Sequence, residues 1–347
     1  MTIKTKNAIT DVEESFRKKE SNAFYKCYEE TYCWKQLRDF YYETFPEQEA
    51  SAWLFRGDVF VYEKDSDHLM RNAFKTSLDK AFEEFETELQ RRSKIEKAII
   101  RAFRRRAPLF TDDKYVAQNQ LEALALMRHH GAPARILDWM YSFFPAVYLA
   151  MNREYNKKAE YTTYTIWALN RKWLHFENVL FENRIFLRDT GYFREHFLTL
   201  KDSKYYQEYD NSLFQKFVVT YMINKNPASL IYAATPYRFN ERLAAQRGTL
   251  LFSSKVDRNW GENLQDMIRN SVKRWPPKDK NGRVMKGVKP ILCEITFTLS
   301  KKERGEFLRG LDEMNVNQVT LFPDLDGFAE SLRTRIAHPE SLGIYDD

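Results

Sequence analysis

Apolar positions recur along this chain in two periods, and the clearest helical one lies near its centre. Leu121, Leu124, Ala125 and Met127 fall at helical spacing, and His129, His130 and Gly131 close the run. Gly131 is placed for a left-handed cap, with Pro133 just beyond it. A short extended piece, Ala134 to Leu137, comes next. Asp138 and Trp139 follow, then a second apolar helix entered at Ser142 with Pro145 in its first turn, where the missing N–H costs no hydrogen bond. Two apolar helices thus flank a turn carrying His129, His130, Arg135, Asp138 and Trp139. Polar groups between buried helices must be paired or used, so this cluster is the first place to seek function.

Elsewhere the period is closer to two. Trp53 to Tyr62 (WLFRGDVFVY) reads as a strand rich in aromatic and β-branched residues. Arg56-Gly57 interrupts it. A bulge or a close approach of backbone to a ligand is one reading of that pair, and an Arg salt-bridged at a sheet edge is the other. Further strands are predicted at Tyr161–Leu169, Leu230–Ala234, Thr249–Phe252, Ile291–Leu299 and Val319–Phe322. Helices are predicted over Thr10–Thr44 and over most of Ser66–Ala107, the latter with Phe82, Phe85 and Leu89 as a buried stripe. More follow at Arg171–Asn178, Lys204–Ile223, Asn240–Ala244, Ser300–Met314 and Phe328–Ile336. Pro276–Pro290, rich in Lys, Gly and Pro, reads as a loop. No regular βαβ rhythm emerges, so the class is α+β: a mixed, mainly antiparallel sheet surrounded by many helices. Residues 1–50 read as a helical extension and 51–347 as the main domain with a C-terminal strand–helix elaboration.

Composition narrows the function classes. At 43% hydrophobic, 30% charged and 15% aromatic, the chain is globular rather than low-complexity. The net charge of +6 suits an anionic ligand without requiring nucleic acid. The arginine run Arg101 to Arg106 could meet phosphates or form a solvated helix face. Cys27, Cys33 and Cys293 form no disulfide framework, the polar start lacks a signal-peptide pattern, and the longest apolar run is too short to span a bilayer. A cytoplasmic protein without membrane contact is therefore expected.

Most familiar chemistry is missing: the sequence has no GxGxxG, P-loop, HExxH or GxSxG pattern. His129 and His130 are adjacent and point apart on a helix, so no metal is expected. Asp324 and Asp326 near Gly327 lack the other positions of a calcium loop. Three polar islands remain at the edges of apolar elements: Arg56-Gly57, His129 to Trp139, and Gln246-Arg247-Gly248. They assemble one site or form a structural hydrogen-bond network.

At these residues the sequence resembles the FRG-domain family. Phe55-Arg56-Gly57 matches the family's signature, Phe74 to Leu78 its Thr-Ser-Leu element, and RHHGAPARILDWM its QHHGLPTRLLDWT motif. Arg128, Ala134 and Met140 depart from that motif. Arg242, Gln246 and Gly248 match a late element, and Leu321 to Gly327 a tail. The resemblance extends over roughly Trp53 to Gly327. It implies a bacterial or phage-associated setting such as anti-phage defence. A more distant similarity to ADP-ribosyltransferases implies NAD as substrate and a transferase or glycohydrolase activity. Arg56 would then hold phosphates or ribose, and Trp139 or Tyr141 would stack on nicotinamide. Arg56, His130, Asp138 and Gln246 would be the catalytic set, with Arg56, Gly57, His129, Arg135, Trp139 and Tyr141 binding the nucleotide. A carboxylate normally stabilises the ribosyl cation, yet the late element carries neutral Gln246, leaving Asp138 or Glu241 to serve. Two other readings stand beside this one: a non-catalytic module sensing a nucleotide or phage component, and a nucleic-acid-binding or nuclease-like protein. A nucleotide or other anionic ligand is the expected partner, with a protein or nucleic-acid target as a further one.

Overall fold

In a computed structural model, residues 25–29, 33–46, 52–59, 73–111, 119–152, 159–188, 212–225, 227–236, 241–271, 274–275 and 289–335 are described. They form one seven-stranded sheet with helices on both faces. The strands are β1 (Tyr25–Glu29), β2 (Trp53–Val59), β3 (Ile136–Met140), β4 (Tyr161–Asn170), β5 (Ile231–Ala234), β6 (Gly248–Ser253) and β7 (Leu292–Ser300), in the spatial order β1-β7-β4-β2-β3-β6-β5. The β1–β7 pair is parallel and all the others are antiparallel. The class is α+β with a mixed sheet.

Alternation along each strand feeds two cores. Leu54, Trp167 and Leu169 face one, while Trp53, Phe55, Ile166 and Ala168 face the other. The first core is roofed by α4 (Gln120–His129), α7 (Ser212–Lys225) and α9 (Trp260–Ser271). The second is covered by α1 (Trp34–Thr44), α5 (Phe143–Asn152) and α10 (Lys301–Glu313). Because helices cover both faces, the central strands read as apolar runs, which blunts the period-two signal. Among the described residues no helix is long and apolar enough to cross a membrane.

Several sequence expectations change. Within Thr10–Thr44, Tyr25–Glu29 is a strand laid parallel to Leu292–Thr296. A partner some 270 residues away decides that, and residues 10–24 lie outside the described set. Ser66–Ala107 contains two helices, α2 (Ser77–Glu84) and α3 (Leu89–Arg106), not one. Glu86 at φ +44° turns the chain between them. The helical frame is reset there, so Phe82 is buried while Phe85 is 74% and Leu89 53% exposed. Val319–Phe322 is not a strand. Gln318–Leu321 is a single helical turn (α11), with the Asn317 side chain accepting the Thr320 N–H. Asp138 and Trp139 sit inside β3 rather than in a turn. Trp260–Ser271 is a further amphipathic helix, beyond those predicted. The remaining helices are α6 (Arg171–Arg188), α8 (Glu241–Ala245) and α12 (Leu325–Arg335). Most of the Pro276–Pro290 loop, residues 276–288, lies outside the described set.

Candidate functional site

The site begins at a seam in the sheet. β2 pairs with β4 over its whole length, from Trp53↔Asn170 to Val59↔Tyr164, but with β3 at only one position, Phe55↔Met140. One residue beyond that pair, Arg56 is 5% exposed and donates from Nη1 to the Asp138 carbonyl at 3.0 Å. The guanidinium thus stands in for the backbone N–H that a longer ladder would supply. Its Nη2 lies 3.4 Å from the Asp58 carboxylate. Gly57 follows for a different reason. A Cβ there would lie 1.9 Å from the Ala146 carbonyl oxygen and 2.9 Å from the Ala150 Cβ. Helix α5 therefore rests directly on this backbone. The unbroken β2–β4 register excludes the expected bulge, and the close approach is by a helix.

A half-open cleft of about 320 Å³ opens at the seam. Its near wall is the end of α4. Gly131, at φ +74°, caps that helix: the Ala132 N–H reaches the Met127 carbonyl at 2.8 Å and the Gly131 N–H reaches that of Arg128 at 3.3 Å. The cap leaves Arg128 and His129 on the last turn, facing β3. Arg128 donates from Nε (2.8 Å) and Nη2 (2.6 Å) to the same Asp138 oxygen. Burial works against the charged guanidinium, yet Asp138 outweighs it and holds Arg128 above its ordinary range. His129 is pushed below the usual histidine range, first by burial and then by His130 and Arg242, with Asp324 and Asp138 opposing.

The far wall comes from the chain's last third. Gln246 is buried and donates from Nε2 to the Leu321 carbonyl at 3.2 Å. Arg242 pairs with Asp324 at 2.9 Å and stacks over the Phe322 ring at 4.8 Å. A Cβ on Gly248 would lie 2.4 Å from Leu243 Cδ1, so this glycine lets α8 fold back onto β6.

Arg56, Gly57, His129, Asp138 and Gln246 therefore line one cleft. The other named residues lie elsewhere. His130 is exposed, with its ring 4.7 Å edge-on to His129. Arg135 is buried in a pair with Glu96, at 2.6 Å and 2.7 Å, and stacks on Phe252 at 4.8 Å. It ties α3 to β3 and does not reach the cleft. Burial raises the Glu96 carboxyl above its usual range against the pull of Arg135. Trp139 is fully buried between Phe74 and Trp260. As the strand neighbour of Asp138 it must point to the opposite face, which removes it as a nicotinamide platform. Tyr141 lies under Arg171, 4.9 Å from the guanidinium, away from the cleft lining. Glu241 does not line the cleft either. Arg128, Arg242 and Phe322 do, and the predicted site set omitted them. Arg128 had a signal, since it precedes the two histidines on the same helical turn. Arg242 and Phe322 are brought in by contacts across some 80 residues. Among the described residues no three His, Cys, Asp or Glu side chains gather as a metal site.

Fold and site together define an α+β protein with an arginine-lined cleft at a sheet seam. The FRG domain family model matches residues 51–159 of the chain. The FRG domain is thus confined to that stretch, which carries Arg56, Gly57, Arg128, His129 and Asp138. The wall built from Arg242, Gln246 and Phe322 lies beyond it. Comparison with curated proteins and with solved structures gives no match.

Proposed function

We propose that the cleft binds a phosphate-bearing nucleotide, with NAD the first ligand to test. The supporting observation is the composition of one cavity. Arg56, Arg128, Arg242 and His129 line it, and Asp138 is the one carboxylate among the lining residues. Arginine forks suit phosphate oxygens, and the volume lies in the range of small-molecule sites. Phe322, backed by Arg242, offers the ring for a base in place of Trp139 and Tyr141. Binding without chemistry fits these residues best, because Asp138 is already neutralised by Arg128 and Gln246 is committed to a backbone carbonyl.

ADP-ribosyl transfer or NAD hydrolysis is the second reading, and Asp138 is what favours it. A carboxylate at the floor of the cleft can stabilise the ribosyl cation once a ligand phosphate draws Arg128 away. Calorimetry with NAD, ADP-ribose, ATP and inorganic phosphate tests the first reading, with binding expected for the nucleotides and lost in Arg128→Gln. Absence of binding by all four ligands sinks it. Release of nicotinamide from NAD, abolished in Asp138→Asn, selects the second, and protection of cells against phage tests its biological setting.

A further inference from the structure

Helix α3 carries charge that the cleft does not use. Its eighteen residues include eight Lys or Arg and one acid, Glu96, which is buried against Arg135. That surplus exceeds the net charge of +6 on the whole chain, so the remainder of the molecule is close to neutral. The helix buries Ile100 and Glu96, and packs Ile99 and Phe103 against the core. At 100° per residue, Arg91, Lys94, Arg101 and Arg105 fall on the opposite side, within one narrow stripe interrupted only by Ala98. All four are exposed, and none forms an ion pair among the described residues. The stripe runs for about 21 Å. Just past its arginine end, Phe110 is 86% exposed.

We propose that this stripe is a docking surface for single-stranded nucleic acid. The four cations would track the phosphate backbone, and Phe110 would stack on a base. Four cations in register, without an ion pair among the described residues and with no acid in the stripe, fit a linear polyanion. An anionic membrane fits less well. A helix lying in a bilayer interface inserts its apolar face, and here that face is packed into the protein. An exposed ring beside an arginine run is the arrangement that holds single strands.

The test is fluorescence anisotropy of labelled oligouridine with the full chain, over a range of salt. With four phosphate contacts, the slope of log K against log salt should lie near −3. A variant with Arg91, Lys94, Arg101 and Arg105 all changed to Gln keeps helix propensity, so circular dichroism should be unchanged. Its affinity at low salt should fall by about a hundredfold or more. Phe110→Ala should weaken binding about tenfold. Arg128→Gln, a cleft variant, should bind as tightly as wild type. The proposal is overturned if oligouridine does not bind, or if the Gln variant binds as tightly as wild type. It is equally overturned if Arg128→Gln abolishes binding, which moves the contact to the cleft, if a duplex is preferred, or if phosphatidylserine vesicles capture the protein where oligouridine does not.

Discussion

At the scale of single residues, Arg56 carries two roles that mutation separates. It completes the hydrogen bonding of the Asp138 carbonyl at the sheet seam, and it lines the cleft. Arg56→Ala leaves a part-buried carbonyl without this donor, a cost of about 1 kcal/mol. Arg56→Lys restores a charge and one donor but cannot span both Asp138 and Asp58. We expect thermal unfolding to place the Lys variant between wild type and Ala. Nucleotide affinity by calorimetry should fall about tenfold or more in both. Wild-type affinity in the Lys variant would remove Arg56 from the ligand contacts. His129 makes a pH prediction. Its folded pKa is depressed, so between the folded and unfolded values the unfolded chain holds the extra proton. Its contribution to stability is present above the ordinary histidine range and declines as pH falls through it. His129→Gln should therefore flatten the dependence of the unfolding midpoint on pH in the mildly acidic range. An anionic ligand favours the protonated ring, so affinity for inorganic phosphate should rise as pH falls.

At the scale of elements, the informative contact is α5 against β2. The sequence Phe-Arg-Gly places an arginine toward the seam and, one residue on, a side-chain-free surface toward the helix on the other face. Any Cβ at position 57 meets the Ala146 carbonyl, and backbone cannot swing aside as a flexible side chain can. Gly57→Ala should thus force α5 off the sheet, costing about 1–3 kcal/mol. The measurement is the unfolding midpoint with the near-ultraviolet circular dichroism of the aromatic second core. An unchanged midpoint would show that α5 tolerates the shift. The same logic explains Gly310, where a Cβ would lie 2.1 Å from the Trp34 indole nitrogen. There α10 packs on α1.

For the whole molecule, one edge of the sheet joins distant parts of the chain. β1 lies on the outer side of β7, and the Tyr25 hydroxyl donates to the Glu294 carboxylate across 269 residues of chain. Both side chains are fully buried. Burial, followed by the neighbouring Glu294, raises the Tyr25 phenol far above its ordinary range, so it remains a donor. Tyr25→Phe removes a donor from a buried carboxylate. It should destabilise by about 1–3 kcal/mol, read as a fall of several degrees in thermal unfolding. No change would mean that Glu294 draws sufficient support from its other contacts, Thr296 among them at 3.3 Å.

Local patterns determined much of this molecule without help. The end of α4 at His129 and Gly131, the entry to α5, and the core strands β4, β5, β6 and β7 follow from residue period and cap chemistry. Those signals act within a few residues, where sterics and backbone hydrogen bonding operate directly. Tertiary structure decided what depends on a distant partner. Tyr25–Glu29 became a strand because β7 offered an open edge. Glu86 split one helix into two and exposed Phe85 and Leu89. Arg135 found Glu96 and left the site, while Arg128 stayed because Asp138 met it across the α4 cap. Asp138 and Trp139, adjacent in sequence, went to opposite faces once β3 formed. Pairing and facing are set by which groups meet in space, and that information does not reside in any single stretch of sequence.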